Sequence, residues 1–135
     1  MHDPAGPIAR FLAASAFGVA GASPRRHKYG NKVLRCYLQA GRRAIPVNPR
    51  ETEIEGVACV ATVLDLPDEA KSLSVITPPE VTERVVEQAI ARGIEHVWMQ
   101  PGAESEAAVE ACRREGINVI ADGSCLLVVL GYREG

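Results

Sequence analysis

Short apolar segments that alternate with helix-like stretches are the feature that most restricts the fold of this chain. The segments predicted to form strands are Ala16–Gly21, Ala44–Asn48, Ser72–Thr77, His96–Gln100 and Ile117–Ala121. They recur at intervals of roughly 25 to 30 residues, which is enough for a strand, a crossover helix and the turns between them. Crossovers of this kind join parallel strands. The sequence therefore predicts an α/β fold, an open parallel sheet with helices on both faces.

The stretches between the strands carry apolar residues at helical spacing, and glycines stand where helices should end. We predict helices over Pro7–Ala14, from Tyr29 or Gly30 to Gly41, around Val81–Ile90 with Gly93 as the stop, and over Glu104–Glu115. A minor extended piece is expected at 57–60, a helical turn at 63–66 and a last extended segment, CLLVVL, at 125–130.

Length and composition limit the class of protein. With 135 residues and 47% hydrophobic content, the chain suits one well-buried core, so we predict a single domain over residues 1–135. The 15 basic and 17 acidic residues nearly cancel, which indicates no general attraction to nucleic acid or to a membrane surface. The four cysteines form no C-x-x-C pair and the His, Cys and acidic residues do not cluster, so no metal is predicted. With no signal peptide or apolar span in the sequence, we expect a cytoplasmic protein with reduced thiols.

The stretch GASPRRHK, residues 21–28, places basic residues where the helix after the first strand begins. Aligned peptide dipoles already make a helix start positive, so extra cations there call for a negative partner. The later crossover helices begin with their own glutamates. We predict a phosphate or diphosphate held by the backbone of Gly21, Ala22 and Ser23. The residues available as countercharge are Arg25, Arg26, Lys28 and Lys32; the alternative is a solvated basic loop.

The end of the second strand bears on the kind of nucleotide. The dinucleotide fingerprint G-x-G-x-x-G and the Walker A sequence are both absent. Nicotinamide enzymes usually carry an Asp or Glu for the ribose hydroxyls at the end of this strand, whereas this chain has Asn48, Pro49 and Arg50. An arginine there suits a phosphate on the ribose, which leaves NADP or coenzyme A with its 3′-phosphate. A solvated turn is the other interpretation of Arg50.

Several motifs in order carry a resemblance to a known family. The stretches VAGASPRRHKYGNKVLRCYLQAGRRAIPVNPRETEIEGVACVATVLDLP, ITPPEV, VWMQPGAESEAA and GINVIADGSC look like the small stand-alone CoA-binding proteins. These are similar to the CoA-binding domain at the amino end of the succinyl-CoA synthetase α subunit and of related ADP-forming acyl-CoA synthetases. The resemblance covers about Ser15 to Leu127 and implies a Rossmann-like sheet with a CoA site at its carboxyl edge.

The resemblance also implies roles for individual residues. The loop Gly21, Ala22 and Ser23 would take the phosphates, and Asn48, Pro49 and Arg50 would flank the adenosine and its 3′-phosphate. The remaining site residues would be Thr77 and Pro78 on the adenine or pantetheine path, Gln100 and Gly102 farther along the cleft, and Tyr29 and Gly30 at the helix start. Two positions depart from the family, because many members have arginine where this chain has Thr77 and Ser124.

The function expected from these features is binding of CoA or an acyl-CoA without catalysis, as a carrier or a sensor. The synthetases phosphorylate a histidine in a separate downstream domain, to which nothing in this chain corresponds. The alternatives are a small enzyme that uses CoA or NADP with Cys125 as its reactive thiol, and a plain NAD(P)-binding domain. A buried, inert cysteine is the commoner state of such a residue. The sequence leaves open whether, besides the CoA ligand, the protein forms a homodimer or binds an acyl-CoA-metabolising partner protein.

Overall fold

A five-stranded parallel sheet lies at the centre of the computed structural model, which describes residues 6–134. Residues 1–5 and 135 of the predicted domain lie outside the described part. The strands in chain order are β1 (Ala16–Ala20), β2 (Ala44–Val47), β3 (Glu53–Ile54), β4 (Val57–Ala58), β5 (Ala70–Val75), β6 (His96–Met99) and β7 (Asn118–Ile120). The sheet has the order β2-β1-β5-β6-β7, and every neighbouring pair is parallel. The predicted α/β class is therefore confirmed.

Helices cover both faces of this sheet, as predicted. They are α1 (Pro7–Leu12), α2 (Tyr29–Gln39), α3 (Pro79–Arg92), α4 (Glu106–Arg114) and α5 (Leu126–Val129), with a 3₁₀ turn at Val63–Asp65. One core includes residues of α1, α2 and α5, and the other includes residues of α3 and α4. Local signals set the ends: Gly93 ends α3 in the left-handed conformation, and the Ser105 hydroxyl caps α4 by accepting from the Ala108 N–H.

The prediction of a last extended segment at 125–130 is wrong, because these residues form α5. A short apolar run has no periodicity that separates a strand from a buried helical turn. In the structure Leu126 is fully buried against the α2 face, while Val128 is 79% exposed. That one-sided burial is compatible with a helix lying on α2 and not with a strand buried on both faces.

The extended piece expected at 57–60 is one half of a hairpin. Strands β3 and β4 pair antiparallel, and the turn between them places both Glu55 (φ 52°) and Gly56 (φ 78°) in the left-handed region. Two successive residues of positive φ make the tight turn whose twist suits a hairpin. This hairpin brings Glu55 toward the start of α2.

The strand order locates the place where a ligand binds in such folds. The chain runs from β1 to β2 on one side of β1 and then crosses to β5 on the other side. In open parallel sheets this switch in direction opens a crevice at the carboxyl ends of the two strands. The carboxyl ends of β1 and β5 are followed by Gly21 and Ile76, so the predicted phosphate loop lies at the switch point.

Candidate functional site

The loop between β1 and α2 is held by backbone contacts that leave no room for side chains. Gly21 has φ 97°, and a Cβ on it would overlap the carbonyl oxygen of Ile76. A Cβ on Gly30 would overlap the carbonyl oxygen of Gly21. Between residues 6 and 134 no partner accepts a hydrogen bond from the backbone N–H groups of Ala22 and Ser23. These two donors can therefore bind an anion at the carboxyl end of β1.

A cavity of about 320 Å³ opens beside this loop. Its walls come from the ends of β1, β2 and β5, the 3₁₀ turn and the outer face of α3: Ala20, Gly21, Ala22, Val47, Asn48, Pro49, Ala61, Thr62, Val63, Thr77, Val81, Val85 and Gln88. Most of the lining is aliphatic, with a few amide and hydroxyl groups. Small-molecule sites share this composition, and the volume lies at the lower end of their range.

One negative partner of the basic helix start is a residue of the chain itself. The Glu55 carboxylate accepts from Arg26 Nη1 at 2.7 Å and from Asn31 Nδ2 at 3.1 Å. Asn31 is fully buried, and its Nδ2 also donates to the Ser23 carbonyl at 2.9 Å. The hydrogen bond from Asn31 and the nearby Arg26 guanidinium lower the pKa of Glu55. The hairpin therefore compensates part of the positive charge predicted to need a ligand.

The lowered pKa of Glu55 gives a testable dependence of stability on pH. A carboxyl whose folded-state pKa is lowered stabilises the fold above its unfolded pKa, about 4.3 for glutamate, and loses that contribution as the pH falls through the folded value. When the pH falls from 7 to 3, Glu55→Gln should lose less unfolding free energy than the wild type, by up to about 1 kcal/mol. The difference is modest because Arg26 is solvent-exposed. Denaturant unfolding between pH 7 and pH 3 measures this. Glu53→Gln is the matched control, because Glu53 lies in the same hairpin and its carboxylate forms no hydrogen bond or ion pair within residues 6–134.

The other predicted cations divide into two groups. Lys32 lies 3.8 Å from the Glu134 carboxylate, so that cation already has an acidic neighbour. Arg25, Lys28 and Arg50 are exposed, and their charged side chains form no hydrogen bond or ion pair with another residue between 6 and 134. These three remain available to a phosphate.

Two predicted site residues form hydrogen bonds that hold the backbone around the cavity in place. Asn48 donates from Nδ2 to the Ala22 carbonyl at 2.9 Å and accepts from the Arg50 N–H at 2.7 Å, so both ends of its amide are used. It ties the end of β2 to the phosphate loop. The Thr77 hydroxyl lies 2.7 Å from that of Thr82, which fixes the turn into α3.

A second polar cluster joins the start of α2 to the end of β6 and the start of α5. Tyr29 Oη lies 2.9 Å from Gln100 Oε1 and 2.8 Å from Cys125 Sγ, and Gln100 Oε1 also accepts from the Leu126 N–H. Burial raises the pKa of Tyr29, so the phenol is neutral and has one proton to give. Because Gln100 Oε1 can only accept, Tyr29 donates to it, and the Cys125 thiol donates to Tyr29.

This cluster leaves one buried donor without a partner. Gln100 is fully buried, and its Nε2 has no hydrogen-bond partner between residues 6 and 134. The orientation of the amide is fixed by the two bonds to its oxygen. A buried, unpaired N–H group costs roughly 1–3 kcal/mol until an acceptor reaches it. Tyr29 and Gln100 do not line the 320 Å³ cavity, so the predicted site residues form one group at the cavity and its loop and a second at this cluster. Gly102 lies in neither group, and its N–H donates to Glu104 Oε1.

Sequence reasoning missed several residues of this region. Asn31 donates to Ser23 in the predicted phosphate loop, and Glu55 accepts from Asn31 and from Arg26. Val81, Val85 and Gln88 line the cavity from α3. A buried asparagine in the apolar face of α2 is a signal that sequence alone offers. The Glu55 contact has no such signal, because it depends on where the hairpin folds.

Two further observations concern metal ions and membranes. Between residues 6 and 134 no three or more His, Cys, Asp or Glu side chains are grouped so that they could hold a metal ion. Within the same described part, no helix is long and apolar enough to cross a membrane. The four cysteines are all free.

Comparison with known protein families identifies the family of this chain. Residues 15–130 match the family described as the CoA binding domain. The chain is a member of that family. The matched range includes β1 to β7 and every predicted site residue.

Relatives of this CoA-binding domain include large ligases and small proteins. An ADP-forming acetate–CoA ligase of Archaeoglobus fulgidus is 27% identical over 97 residues, which are 72% of this chain and 14% of the ligase. The chain thus spans about a seventh of that relative's length. A solved structure of a conserved hypothetical protein from Pyrococcus furiosus is 35% identical, with a TM-score of 0.81 over 84% of this chain and 97% of the other.

A third similarity is to a ligase structure. A dinucleotide-forming acetyl-coenzyme A synthetase of Ca. Korarchaeum cryptofilum, in complex with phosphate and ADP, is 26% identical with a TM-score of 0.73. The similarity covers 81% of this chain and 26% of the synthetase. The fold of the CoA-binding domain therefore occurs both in small proteins and within larger synthetases.

Proposed function

We propose that this protein binds CoA or an acyl-CoA at the carboxyl edge of its sheet and performs no catalytic step of its own, as a carrier or a sensor. The observation that carries the proposal is the pair of N–H groups, Ala22 and Ser23, which have no partner in residues 6–134 and lie beside a cavity at the switch point. An anion bound there would also compensate the remaining positive charge of Arg25 and Lys28.

The proposed orientation follows from the two groups of site residues. The adenosine occupies the 320 Å³ cavity between the ends of β1, β2 and β5, and the diphosphate binds Ala22 and Ser23. Arg50 is exposed and directly follows Asn48 and Pro49, which line this cavity, and it meets the 3′-phosphate there. The pantetheine runs toward β6, where an amide carbonyl accepts from the unpaired Gln100 Nε2.

Thermal unfolding and calorimetry with CoA, dephospho-CoA, NAD and NADP test this function. CoA should raise the midpoint by several degrees, since a ligand at a hundredfold its Kd stabilises by about 2.7 kcal/mol. Dephospho-CoA should bind more weakly than CoA, and Arg50→Ala should remove most of that difference. A shift with NAD or NADP and none with CoA would contradict the proposal, as would no shift with any of the four.

A reactive thiol is the second candidate function, favoured by the place of Cys125, which is half-buried beside Tyr29 and Gln100 on the proposed pantetheine path. In the binding proposal, Cys125→Ser keeps the affinity for CoA within about twofold, because the hydroxyl can donate to Tyr29 as the thiol does. An acyl-CoA that loses its acyl group in the presence of the wild type, and keeps it with Cys125→Ser, would support the enzyme instead.

A further inference from the structure

The Cys125 thiol lies in the same cluster as the buried donor that Gln100 leaves unpaired. Its Sγ is 2.8 Å from Tyr29 Oη, and Tyr29 donates in turn to Gln100 Oε1. Gln100 is fully buried, and its Nε2 has no partner between residues 6 and 134. An open amide N–H close to a thiol suits a ligand that carries a carbonyl close to a sulfur atom. The pantetheine arm of CoA ends in this way, with an amide joined to its thiol by a short ethylene chain.

The first turn of α2 connects this cluster to the phosphate loop. Gly30 lies so close to the Gly21 carbonyl that a Cβ on it would overlap the oxygen, and Tyr29, the preceding residue, contacts Cys125. Gln100 directly follows β6, which is separated from β1 by β5. The nucleotide cavity is on the β2 side of the loop and the thiol cluster is on the β6 side, so a CoA bound as proposed above brings its sulfur to Cys125.

The other cysteines are less suited to react with a ligand. Cys36 and Cys112 are buried, and burial raises the pKa of each thiol to about 11. Cys59 is half-buried like Cys125, but burial and two neighbouring glutamates raise its pKa, and it follows β4 in the hairpin connection. Only the thiolate form of a cysteine attacks a disulfide. Cys125 is therefore the thiol that combines access with a polar partner.

Tyr29 can stabilise the thiolate of Cys125. In the neutral cluster the thiol donates to Tyr29 Oη, and the phenol donates to Gln100 Oε1. When Cys125 loses its proton, the Tyr29 hydroxyl can turn and donate to Sγ, while Gln100 Oε1 keeps the hydrogen bond from the Leu126 N–H. A hydrogen bond to the charged sulfur favours the thiolate, which is the nucleophile in exchange with a disulfide.

We propose that Cys125 forms a mixed disulfide with CoA by exchange with the disulfide form of that ligand, an inference that rests on the proposed CoA function. The Cys125 thiolate attacks one sulfur of CoA disulfide. A new S–S bond joins Cys125 to one CoA as the original S–S bond breaks, and the second CoA leaves as a thiolate that takes up a proton. One disulfide replaces another, so no oxidant or reductant is consumed.

This exchange gives the carrier or sensor a response to the oxidation state of its ligand. The step is stoichiometric and requires only a thiolate and a bound disulfide, so it is compatible with a protein that performs no catalytic step. Reduced CoA binds reversibly, whereas oxidised CoA is retained on Cys125 until a reducing thiol releases it.

Intact-mass spectrometry of the full chain after incubation with CoA disulfide tests the exchange. The wild type should gain the mass of one CoA less two hydrogens, and dithiothreitol should reverse the gain. Adduct formation should be at least about 100-fold faster than with glutathione disulfide at the same concentration, because the bound nucleotide raises the effective concentration of the disulfide. Excess ADP should slow the reaction of CoA disulfide toward the glutathione rate.

Cysteine variants locate the adduct. Cys125→Ser should form none, whereas Cys59→Ser, which removes the other half-buried cysteine, is the matched control and should react as the wild type does. An adduct that persists in Cys125→Ser, or that disappears in Cys59→Ser, would overturn the proposal.

Tyr29→Phe tests the role of the phenol as a positioning residue. Without the hydroxyl, the rate of adduct formation at pH 7 should fall at least about tenfold. The deficit should shrink toward a pH of about 10, where a thiol ionises without help. A deficit of the same size at every pH would contradict this role of Tyr29.

Calorimetric titration of the wild type with reduced CoA measures the reversible binding separately. If reduced CoA binds but CoA disulfide leaves no adduct on Cys125, or reacts no faster than glutathione disulfide, the exchange is overturned and the proposed function stands. If reduced CoA does not bind, the proposed function fails and the exchange fails with it.

Discussion

Replacing Gly30 by alanine should destabilise this protein by about 3 kcal/mol or more and abolish the proposed binding of CoA. Alanine normally stabilises a helix interior by about 1 kcal/mol relative to glycine, so local propensity predicts the opposite sign. In this structure the added Cβ would overlap the carbonyl oxygen of Gly21. Both partners are backbone atoms, so a side-chain rotation cannot relieve the overlap, and α2 must move away from the phosphate loop.

Chemical denaturation and CoA titration of Gly30→Ala measure both effects. Gly93→Ala is a matched control, because Gly93 has φ 83° but nothing within 4 Å of an added Cβ. Its cost should be the roughly 1–2 kcal/mol of the left-handed conformation, with CoA affinity unchanged. A Gly30→Ala variant at least as stable as the wild type would show that α2 does not approach the loop as closely as described.

The fold was largely predictable because its pattern is local and repeated. Each sheet strand is a short apolar run, and each crossover helix has its own stop or start signal, such as Gly93 after α3. The predictions that failed concern segments whose local sequence pattern is ambiguous. CLLVVL contains too few residues to show a period, and its helical state depends on Leu126 packing against α2. The β3–β4 pairing also depends on a turn conformation that the sequence marks only by Gly56.

The candidate site also combines features that local sequence indicates with contacts that only the folded chain creates. The prediction of a phosphate loop rests on residues that are neighbours in sequence, because small residues after a first strand and cations at a helix start are local signals. Glu55 was missed because it is 29 residues from Arg26 and reaches it only through the hairpin. Asn48 is predicted as a ligand contact and lines the cavity, and its amide also ties β2 to Ala22, which the sequence did not indicate. Sequence identifies the polar residues at a sheet edge but not which of them the fold itself uses.

The second large effect concerns the cavity, and it is expected from Ala61→Trp. Ala61 is exposed and lines the 320 Å³ cavity, so an indole can enter the cavity without displacing core atoms. CoA affinity should fall at least about 100-fold, or about 2.8 kcal/mol, because in the proposed complex the adenosine loses its space. The unfolding free energy without ligand should change by less than about 1 kcal/mol, as is usual for exposed positions.

Ala58→Trp provides the control for Ala61→Trp, since Ala58 is exposed on β4, in the same connection, and does not line the cavity. Calorimetric titration of both variants with CoA and with ADP separates steric block from a general effect of tryptophan. Ala58→Trp should bind both ligands as the wild type does, and Ala61→Trp should bind neither. If Ala61→Trp loses CoA but keeps ADP, the cavity holds the pantetheine instead, and the direction of the ligand along the sheet edge is the reverse of the one proposed.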